Sequence, residues 1–112
     1  MDCLFCKIAA GEIPSTEIYS DDKVYAFKDI DPQAPFHAII IPRNHISGAD
    51  KIDSSNSSDI AAVFEAVAKI AADQKLDNGF RVVNNCGEDG GQTVGHIHFH
   101  LLARRNLAWP PG

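Results

Sequence analysis

The sequence lacks a long apolar run and an excess of positive charge. No segment contains eighteen consecutive apolar residues, and the first seven residues show no basic stretch followed by an apolar one. We therefore expect no transmembrane span and no signal peptide, and hence a cytoplasmic protein. The formal net charge of −5 argues against a nucleic-acid-binding protein, because such proteins usually present a basic face to the phosphates.

Cysteine is also scarce. The chain has three cysteines among 112 residues, too few for the disulfide framework of a small secreted domain, so we expect reduced thiols. The length and the 45% hydrophobic content predict one globular domain over residues 1–112 with a single core.

The apolar pattern predicts two helices and five strands. A short helix is expected over residues 3–10, ended by Gly11. A long helix is expected to follow the polar segment of residues 47–59, whose serines and Asp59 offer several N-cap candidates, and to be closed by residues 77–79. Its apolar stripe packs on the core and contains Ile60, Val63, Phe64, Val67, Ile70 and Ala71. The strands are expected at residues 17–20, 23–28, 37–42, 80–84 and 96–102. This order predicts an α+β domain with a mainly antiparallel sheet.

Three of the five histidines, His96, His98 and His100, alternate with apolar residues near the end of the chain. On a strand all three imidazoles share one face, whereas on a helix they would scatter. Each neutral ring needs hydrogen-bond partners when it leaves water, so three on one face indicate a site. Two chemistries fit it: metal ligation, or nucleophilic and acid–base catalysis by neutral imidazole.

A glycine-rich loop over residues 85–93 leads into this segment and predicts a phosphate cradle beside a nucleophile. The middle ring, His98, is the natural nucleophile, because its neighbours can hold it and bind phosphoryl oxygens. No acidic residue follows Thr93. The ring must therefore be oriented by backbone carbonyls or by other histidines, and a hydrolytic metal site is disfavoured because it would want a carboxylate nearby.

Cys3 and Cys6 form a Cys-x-x-Cys pair with two interpretations. With His45 and one of His96, His98 and His100 they could make a tetrahedral zinc site, or they could be free thiols buried in helix packing. A redox pair is disfavoured, since no strand precedes the helix. Cys86 is interpreted as a loop residue without an obvious partner.

The alternation His-φ-His-φ-His-φ-φ, with φ apolar, resembles the signature of the histidine triad (HIT) family. The resemblance extends over essentially the whole chain, and its further matching segments are residues 29–35, His37, residues 41–46, Asn85 with Gly87, residues 90–92 and the ending Trp-Pro-Pro-Gly. These features are similar to the histidine triad nucleotide-binding proteins, the purine nucleoside phosphoramidase branch.

The resemblance implies a fold and a reaction. The fold is a five-stranded antiparallel sheet with two helices, with the sheets joined across a homodimer. The reaction hydrolyses the P–N bond of AMP or GMP phosphoramidates through a nucleotidyl intermediate on His98. A dinucleoside polyphosphate hydrolase, a nucleotidyl transferase and a non-catalytic nucleotide-binding module are the alternatives.

The resemblance also implies residue roles. Asp29 would hold the ribose hydroxyls, and Phe5, Ile8, Ile13 and Ile30 would wall the purine. Asn85 would contact the sugar or phosphate side, while Gly91, Gln92 and Thr93 would present backbone and hydroxyl groups to the phosphate. His100 would add a donor, His37 would support the triad, and Trp109 would lie near the partner's site.

In relatives with the N-terminal cysteine pair, a structural zinc is implied at positions equivalent to Cys3, Cys6, His45 and His96. No cofactor is implied for catalysis. Two residues depart from better-known members: Thr93 replaces the usual serine, and Gly95 replaces a larger residue. Threonine keeps the hydroxyl that would protonate the leaving amine.

Overall fold

The sheet contains five strands, and each neighbouring pair in it is antiparallel. The structure, a computed structural model, describes residues 3–112; Met1 and Asp2 of the predicted domain lie outside the described residues. The elements in chain order are α1 (Leu4–Ala9), β1 (Glu17–Ser20), β2 (Val24–Lys28), β3 (Phe36–Pro42), α2 (Ser57–Asp73), β4 (Phe80–Asn84) and β5 (Phe99–Ala103). Across the sheet the strands run β1-β2-β3-β5-β4, which confirms the predicted fold class.

β3 lies at the centre of the sheet, and all seven of its residues are buried. Its side chains alternate between two apolar clusters: Ala38 and Ile40 face the cluster that contains α2 residues, and Ile39 and Ile41 face the one that contains α1 residues. A strand covered on both faces needs an almost continuous apolar sequence, which is the pattern here. The sheet is therefore a middle layer between the two helices.

α2 buries the predicted stripe in part. Val63, Val67 and Ile70 are buried, whereas Phe64 is 48% exposed. The helix ends at Asp73, earlier than the predicted closure at residues 77–79. The reason is local: Lys75 adopts φ +56, and the N–H of Leu76 donates to the carbonyl of Ala71 as the chain turns Leu76 into the core. Among residues 3–112, no helix is long and apolar enough to cross a membrane.

β5 starts at Phe99, so the predicted strand over residues 96–102 is wrong in its first three residues. The cause is a different backbone partner, because the N–H of Ile97 donates to the carbonyl of Ile46, 2.6 Å away. The alternation of side chains persists through this segment: Ile97, Phe99 and Leu101 all enter the α2 side of the core. The three histidines consequently share the opposite face, as predicted.

Candidate active site and metal centre

The ring of His98 is buried and held in one tautomer. Its Nδ1 lies 2.8 Å from the backbone carbonyl oxygen of His96, and the side chain is 4% exposed. A carbonyl only accepts, so Nδ1 carries the proton and Nε2 keeps its lone pair. The ring of Phe5 packs edge-on against it, with centroids 5.0 Å apart. The predicted orientation by a backbone carbonyl is confirmed.

Hydrogen bonds also fix the tautomers of two neighbouring histidines, His37 and His100. The N–H of Gln33 donates to Nδ1 of His37 (3.0 Å), so the proton of His37 lies on Nε2. That Nε2–H donates to Nδ1 of His100 (2.8 Å). His100 therefore carries its own proton on Nε2, and its ring centroid lies 5.3 Å from that of His98. It offers one N–H to a ligand beside the candidate nucleophile.

Asp29 lies beside this histidine pair. Its Oδ2 is 3.3 Å from Nε2 of His37 and 3.8 Å from Nδ1 of His100. Burial lowers the pKa of His37, although the negative charges of Asp29 and Asp31 oppose the shift. Burial lowers the pKa of His100 too, helped by His98 and His37. Both rings are thus neutral at pH 7, as their hydrogen bonds require.

The same three side chains could in principle ligate a metal, since their donor atoms lie within 4.8 Å of one another. However, the two histidine nitrogens are 2.8 Å apart. This is a hydrogen-bond distance, shorter than the separation of about 3.3 Å between two nitrogens of a tetrahedral zinc site. The geometry therefore favours a hydrogen-bonded relay at this place.

A cavity of about 630 Å³ lies against α1 and the loop that follows it. The structure brings together in its wall all the residues predicted to wall a purine, together with the residue predicted to hold the ribose: Phe5, Ile8, Ile13, Ile30 and Asp29. The wall is mainly apolar and carries one carboxylate, which is the composition of a small-molecule site.

The glycine-rich loop holds its own backbone amides. The N–H of Gly91 donates to the carbonyl of Glu88, and that of Gln92 donates to the carbonyl of Gly87. In this structure the backbone N–H groups of Gly91 and Gln92 are therefore engaged within the loop, and the contact of residues 91–93 with a phosphate stays a prediction. Gly90 is required for a close approach, because a Cβ there would lie 2.4 Å from the carbonyl oxygen of Cys86.

The side chain of Gln92 fastens this loop to the rest of the chain. Its Oε1 accepts from the N–H of Gly87 (3.0 Å), and its Nε2 donates to the carbonyls of Ser47 (2.7 Å) and Val94 (3.0 Å). Gln92 therefore fixes the backbone on both sides of Thr93. Sequence reasoning missed this role, since the partners are backbone atoms distant in the chain.

The remaining predicted residues lie around this loop. Thr93 is exposed and borders a second hollow, of about 510 Å³, whose wall it shares with Ser47 and Asp50. The residues of this hollow are not among those of the first cavity. Asn85 is half-buried directly after β4. Cys86 has a partner after all, because its thiol lies 3.4 Å from Oδ1 of Asp50.

The four predicted zinc ligands converge into one cluster. Sγ of Cys3 lies 3.4 Å from Nδ1 of His96, and Sγ of Cys6 lies 3.5 Å from Nδ1 of both His45 and His96. The two histidine Nδ1 atoms are 3.2 Å apart. A tetrahedral zinc ion with ordinary bond lengths would separate sulfur from nitrogen by about 3.6 Å and the two nitrogens by about 3.3 Å. The donor atoms fit that polyhedron.

The protonation of the cluster fits a metal as well. Nε2 of His96 lies 2.8 Å from the carbonyl oxygen of Pro42 and donates to it, so Nδ1 presents its lone pair to the cluster. Burial lowers the pKa of His96, which keeps the ring neutral. Burial, followed by the effect of Cys3, raises the pKa of the Cys6 thiol, which a bound cation would reverse.

Asn84 and Gln33 are further site residues that sequence reasoning missed. The Asn84 amide donates to the carbonyl of His98 (2.9 Å) and holds the segment before β5. Gln33 acts through its backbone N–H on His37. Neither residue carries a sequence signal for these roles, because backbone partners leave no pattern of side-chain types.

Comparisons with known proteins agree on a family. Residues 10–107 match the family model of the HIT domain. A 14 kDa zinc-binding protein of Brassica juncea is 43% identical, covering 99% of this chain and all of that protein. A protein of Arabidopsis thaliana named adenylylsulfatase HINT1 is 41% identical, covering 97% of this chain and 76% of its own length. The crystal structure of a HIT family hydrolase from Legionella pneumophila is 46% identical with a TM-score of 0.96, covering 99% of this chain and all of that one.

Proposed function

Because the chain belongs to the HIT domain family, we propose that it is a purine nucleoside phosphoramidase that hydrolyses the P–N bond of AMP or GMP phosphoramidates. The observation that carries the proposal is the tautomer of His98. Its Nδ1–H is bound to the carbonyl of His96, so the unprotonated Nε2 is the atom available for attack. Neutral imidazole is a good nucleophile near pH 7.

The proposed reaction has two displacements at phosphorus. Nε2 of His98 attacks, the P–N bond breaks, and the amine leaves with a proton from the hydroxyl of Thr93. The nucleotidylated ring is then positively charged, and its Nδ1–H bond to the His96 carbonyl becomes a charge-assisted one that stabilises the intermediate. Water then adds to phosphorus, the bond from Nε2 to phosphorus breaks and the nucleoside monophosphate leaves. A proton of that water returns to the oxygen of Thr93, so the neutral ring and the hydroxyl are both restored.

The neighbouring polar groups bind and orient the substrate in this proposal. The Nε2–H of His100 donates to a phosphoryl oxygen, and His37 keeps that proton on Nε2 through its own bond to Nδ1. Asp29, in the cavity wall, accepts from the ribose hydroxyls, and the purine fills the apolar cavity. Asn85 contacts the sugar or phosphate side.

We also propose a structural zinc ion held by Cys3, Cys6, His45 and His96. The fit of the donor atoms supports it, as do relatives from Brassica juncea and Zea mays that are named zinc-binding proteins. When bound, the ion would cross-link the start of α1 to two distant segments of the chain. It takes no part in the proposed displacements.

The proposal includes a homodimer whose two sheets join. β4 is an edge strand, its Phe80 is 43% exposed, and the chain end is held beside it, since the Arg81 guanidinium donates to the carbonyls of Leu107 and Ala108. Unpaired edges of this kind favour pairing with a second chain. Trp109, which is 81% exposed, would then lie near the partner's site.

The test is the release of AMP from adenosine phosphoramidate. We expect turnover by the native protein and its loss in His98→Ala, whereas AMP release that persists in that variant would rule out this nucleophile. Because one relative is named an adenylylsulfatase, adenosine phosphosulfate is assayed in parallel, together with a dinucleoside polyphosphate. Faster AMP release from either would reassign the substrate. Binding of AMP without turnover of any of them would indicate a non-catalytic module.

A further inference from the structure

α1 needs external support, because it contains six residues. Isolated helices of this length are not stable in water. Cys3 caps the helix with its Sγ, which accepts from the N–H of Cys6 (3.3 Å). At the other end, the guanidinium of Arg43 donates to the carbonyl of Ala9 (2.9 Å). The start of the helix is thus attached through the cysteine–histidine cluster and its end through Arg43.

The inner side of α1 is also a wall of the candidate nucleotide cavity. Phe5 and Ile8 are buried and line that cavity. Between the two cysteines, Phe5 packs on the ring of His98 and on Phe27, at centroid distances of 5.0 Å and 5.6 Å. A displacement of α1 would therefore open the cavity and remove packing from the candidate nucleophile.

His96 supplies a second connection between the cluster and His98. Its Nδ1 faces the sulfur atoms of the cluster, and its Nε2–H is bound to the carbonyl of Pro42. Its own carbonyl accepts from Nδ1 of His98. The ring and the backbone of one residue thus link the candidate metal ligands to the atom that selects the tautomer of the nucleophile.

We propose that metal occupancy of the Cys3, Cys6, His45 and His96 cluster sets the nucleotide affinity of the protein, by docking α1 against the cavity. The inference rests on the proposed nucleotide site. Without the cation, α1 loses the cross-link at its start and keeps only the bond from Arg43 and the packing of Phe5 and Ile8, so the fraction of molecules with a closed cavity falls. The apparent affinity for a nucleotide falls by the same fraction. By linkage, a bound nucleotide tightens metal binding by the same factor.

The experiment measures the dissociation constant of AMP by calorimetry, with the full chain loaded with zinc and after removal of zinc by a chelator. We expect about tenfold weaker AMP binding without zinc, within the usual range of coupling between sites. Amide hydrogen exchange over residues 4–9 should accelerate on zinc removal and slow again when zinc is restored. Cys86→Ser, which alters the third thiol outside the cluster, is the matched control and should keep the full zinc effect.

His45→Gln provides a graded version of the test. His45 is exposed, so its replacement removes one ligand and leaves the other three in place, two of them buried and Cys6 half-buried. We expect weaker zinc binding in this variant, with AMP affinity that recovers as zinc is added. The zinc affinity, measured with and without AMP, should change by the same factor as the AMP affinity changes with zinc.

The outcomes separate this inference from the proposed function. An AMP affinity that is equal with and without bound zinc overturns the inference and leaves the proposed nucleotide site intact. Failure of the zinc-loaded native protein to bind AMP overturns the proposed function itself. Should zinc removal unfold the chain, the zinc titration of the folded His45→Gln variant decides the matter, and an AMP affinity independent of zinc there contradicts the inference.

Discussion

The Nε2 atom of His37 lies 2.8 Å from the Nδ1 atom of His100, and this contact determines which ring nitrogen of His100 carries the proton. The bond from the N–H of Gln33 to Nδ1 of His37 fixes its direction. A chain of donors therefore starts at a backbone amide and ends at an imidazole N–H beside His98. In the proposed reaction this chain of hydrogen bonds acts through the orientation and tautomer of His100, without net charge.

Replacement of His37 tests this relay. His37→Ala leaves Nδ1 of His100 without its donor, so His100 loses its single tautomer and part of its hold on a phosphoryl oxygen. We expect a decrease of about 10- to 100-fold in kcat, the scale of losing one positioned partner. Nitrogen NMR should show the Nε2–H tautomer of His100 in the native protein and a mixture in the variant. Lys69→Ala, on the surface of α2, is the control for nonspecific effects.

Acidification should destabilise the fold through the same histidines. Burial lowers the pKa of His37 and His100 below the ordinary value of 6.5. Below pH 6.5 the unfolded chain binds protons at these rings, whereas the folded protein does not until the pH is lower still. The free energy of unfolding is therefore at its full value above this pH. It decreases as the pH falls below 6.5, until the rings of His37 and His100 are protonated in the folded protein as well.

Urea unfolding at pH values from about 7.5 to 5 measures this dependence. The double variant His37→Asn with His100→Asn should show a flatter pH profile than the native protein. An equal slope in both proteins would mean that these rings do not titrate differently on folding.

Thr93 is expected to act on the leaving group. Thr93→Val removes the hydroxyl with little change of shape, so departure of a basic amine should slow by about 100-fold, the lower range for loss of a general acid. A substrate whose leaving group needs no proton should be affected much less. Thr93→Ser restores the hydroxyl and should retain the native rate or exceed it. Equal losses with both leaving groups would show that Thr93 does not donate the proton.

Gln92 should be required for the position of Thr93. Gln92→Glu keeps an acceptor for the Gly87 N–H and loses the donor to the carbonyls of Ser47 and Val94. We expect about 1–3 kcal/mol lower stability from the lost bonds and a fall in kcat with unchanged AMP affinity. Glu88→Gln in the same loop is the control. A Gln92→Glu variant with native kcat would show that the hydrogen bonds from the Gln92 side chain to Ser47 and Val94 are not needed for turnover.

The homodimer proposal gives a direct comparison of two exposed phenylalanines. Phe80 on β4 and Phe64 on α2 are 43% and 48% exposed. Sedimentation should give about twice the 12.1 kDa chain mass for the native protein and for Phe64→Lys. Phe80→Lys places a charge at the proposed sheet junction and should shift the equilibrium to monomers. Equal masses for the two variants would place the interface elsewhere or exclude it.

The sequence predicted the fold where local patterns decide it. The nearly continuous apolar runs of β2 and β3 are direct consequences of the burial of both faces of these two strands. The start of β5 was not predictable, because the N–H of Ile97 donates to the carbonyl of Ile46. The local apolar pattern does not encode that these two segments lie side by side. The same holds for the hydrogen bond from the Gln92 side chain to the carbonyl of Ser47. The end of α2 at Asp73 has a local cause, the left-handed conformation of Lys75, for which this residue type carries no signal.

For the site, the sequence identified the side chains, while the hydrogen bonds that assign their protons required coordinates. The two-residue spacing of the histidines placed His98 between His96 and His100. The Cys3–Cys6 pair indicated a possible metal cluster with His45. The direction of each proton depends on three backbone groups, the carbonyls of His96 and Pro42 and the amide of Gln33. Backbone groups are the same in every residue, so a sequence pattern carries no information on them.

The most direct test of the account is the mass of the protein during turnover. The native chain is mixed with adenosine phosphoramidate, quenched in base within the first turnovers, digested and analysed by mass spectrometry. We expect a peptide carrying one adenylyl group on the imidazole of His98 and no such peptide from His98→Ala. Rapid turnover with the adenylyl group on another residue, or with no covalent adduct on any residue of the native protein, would contradict it.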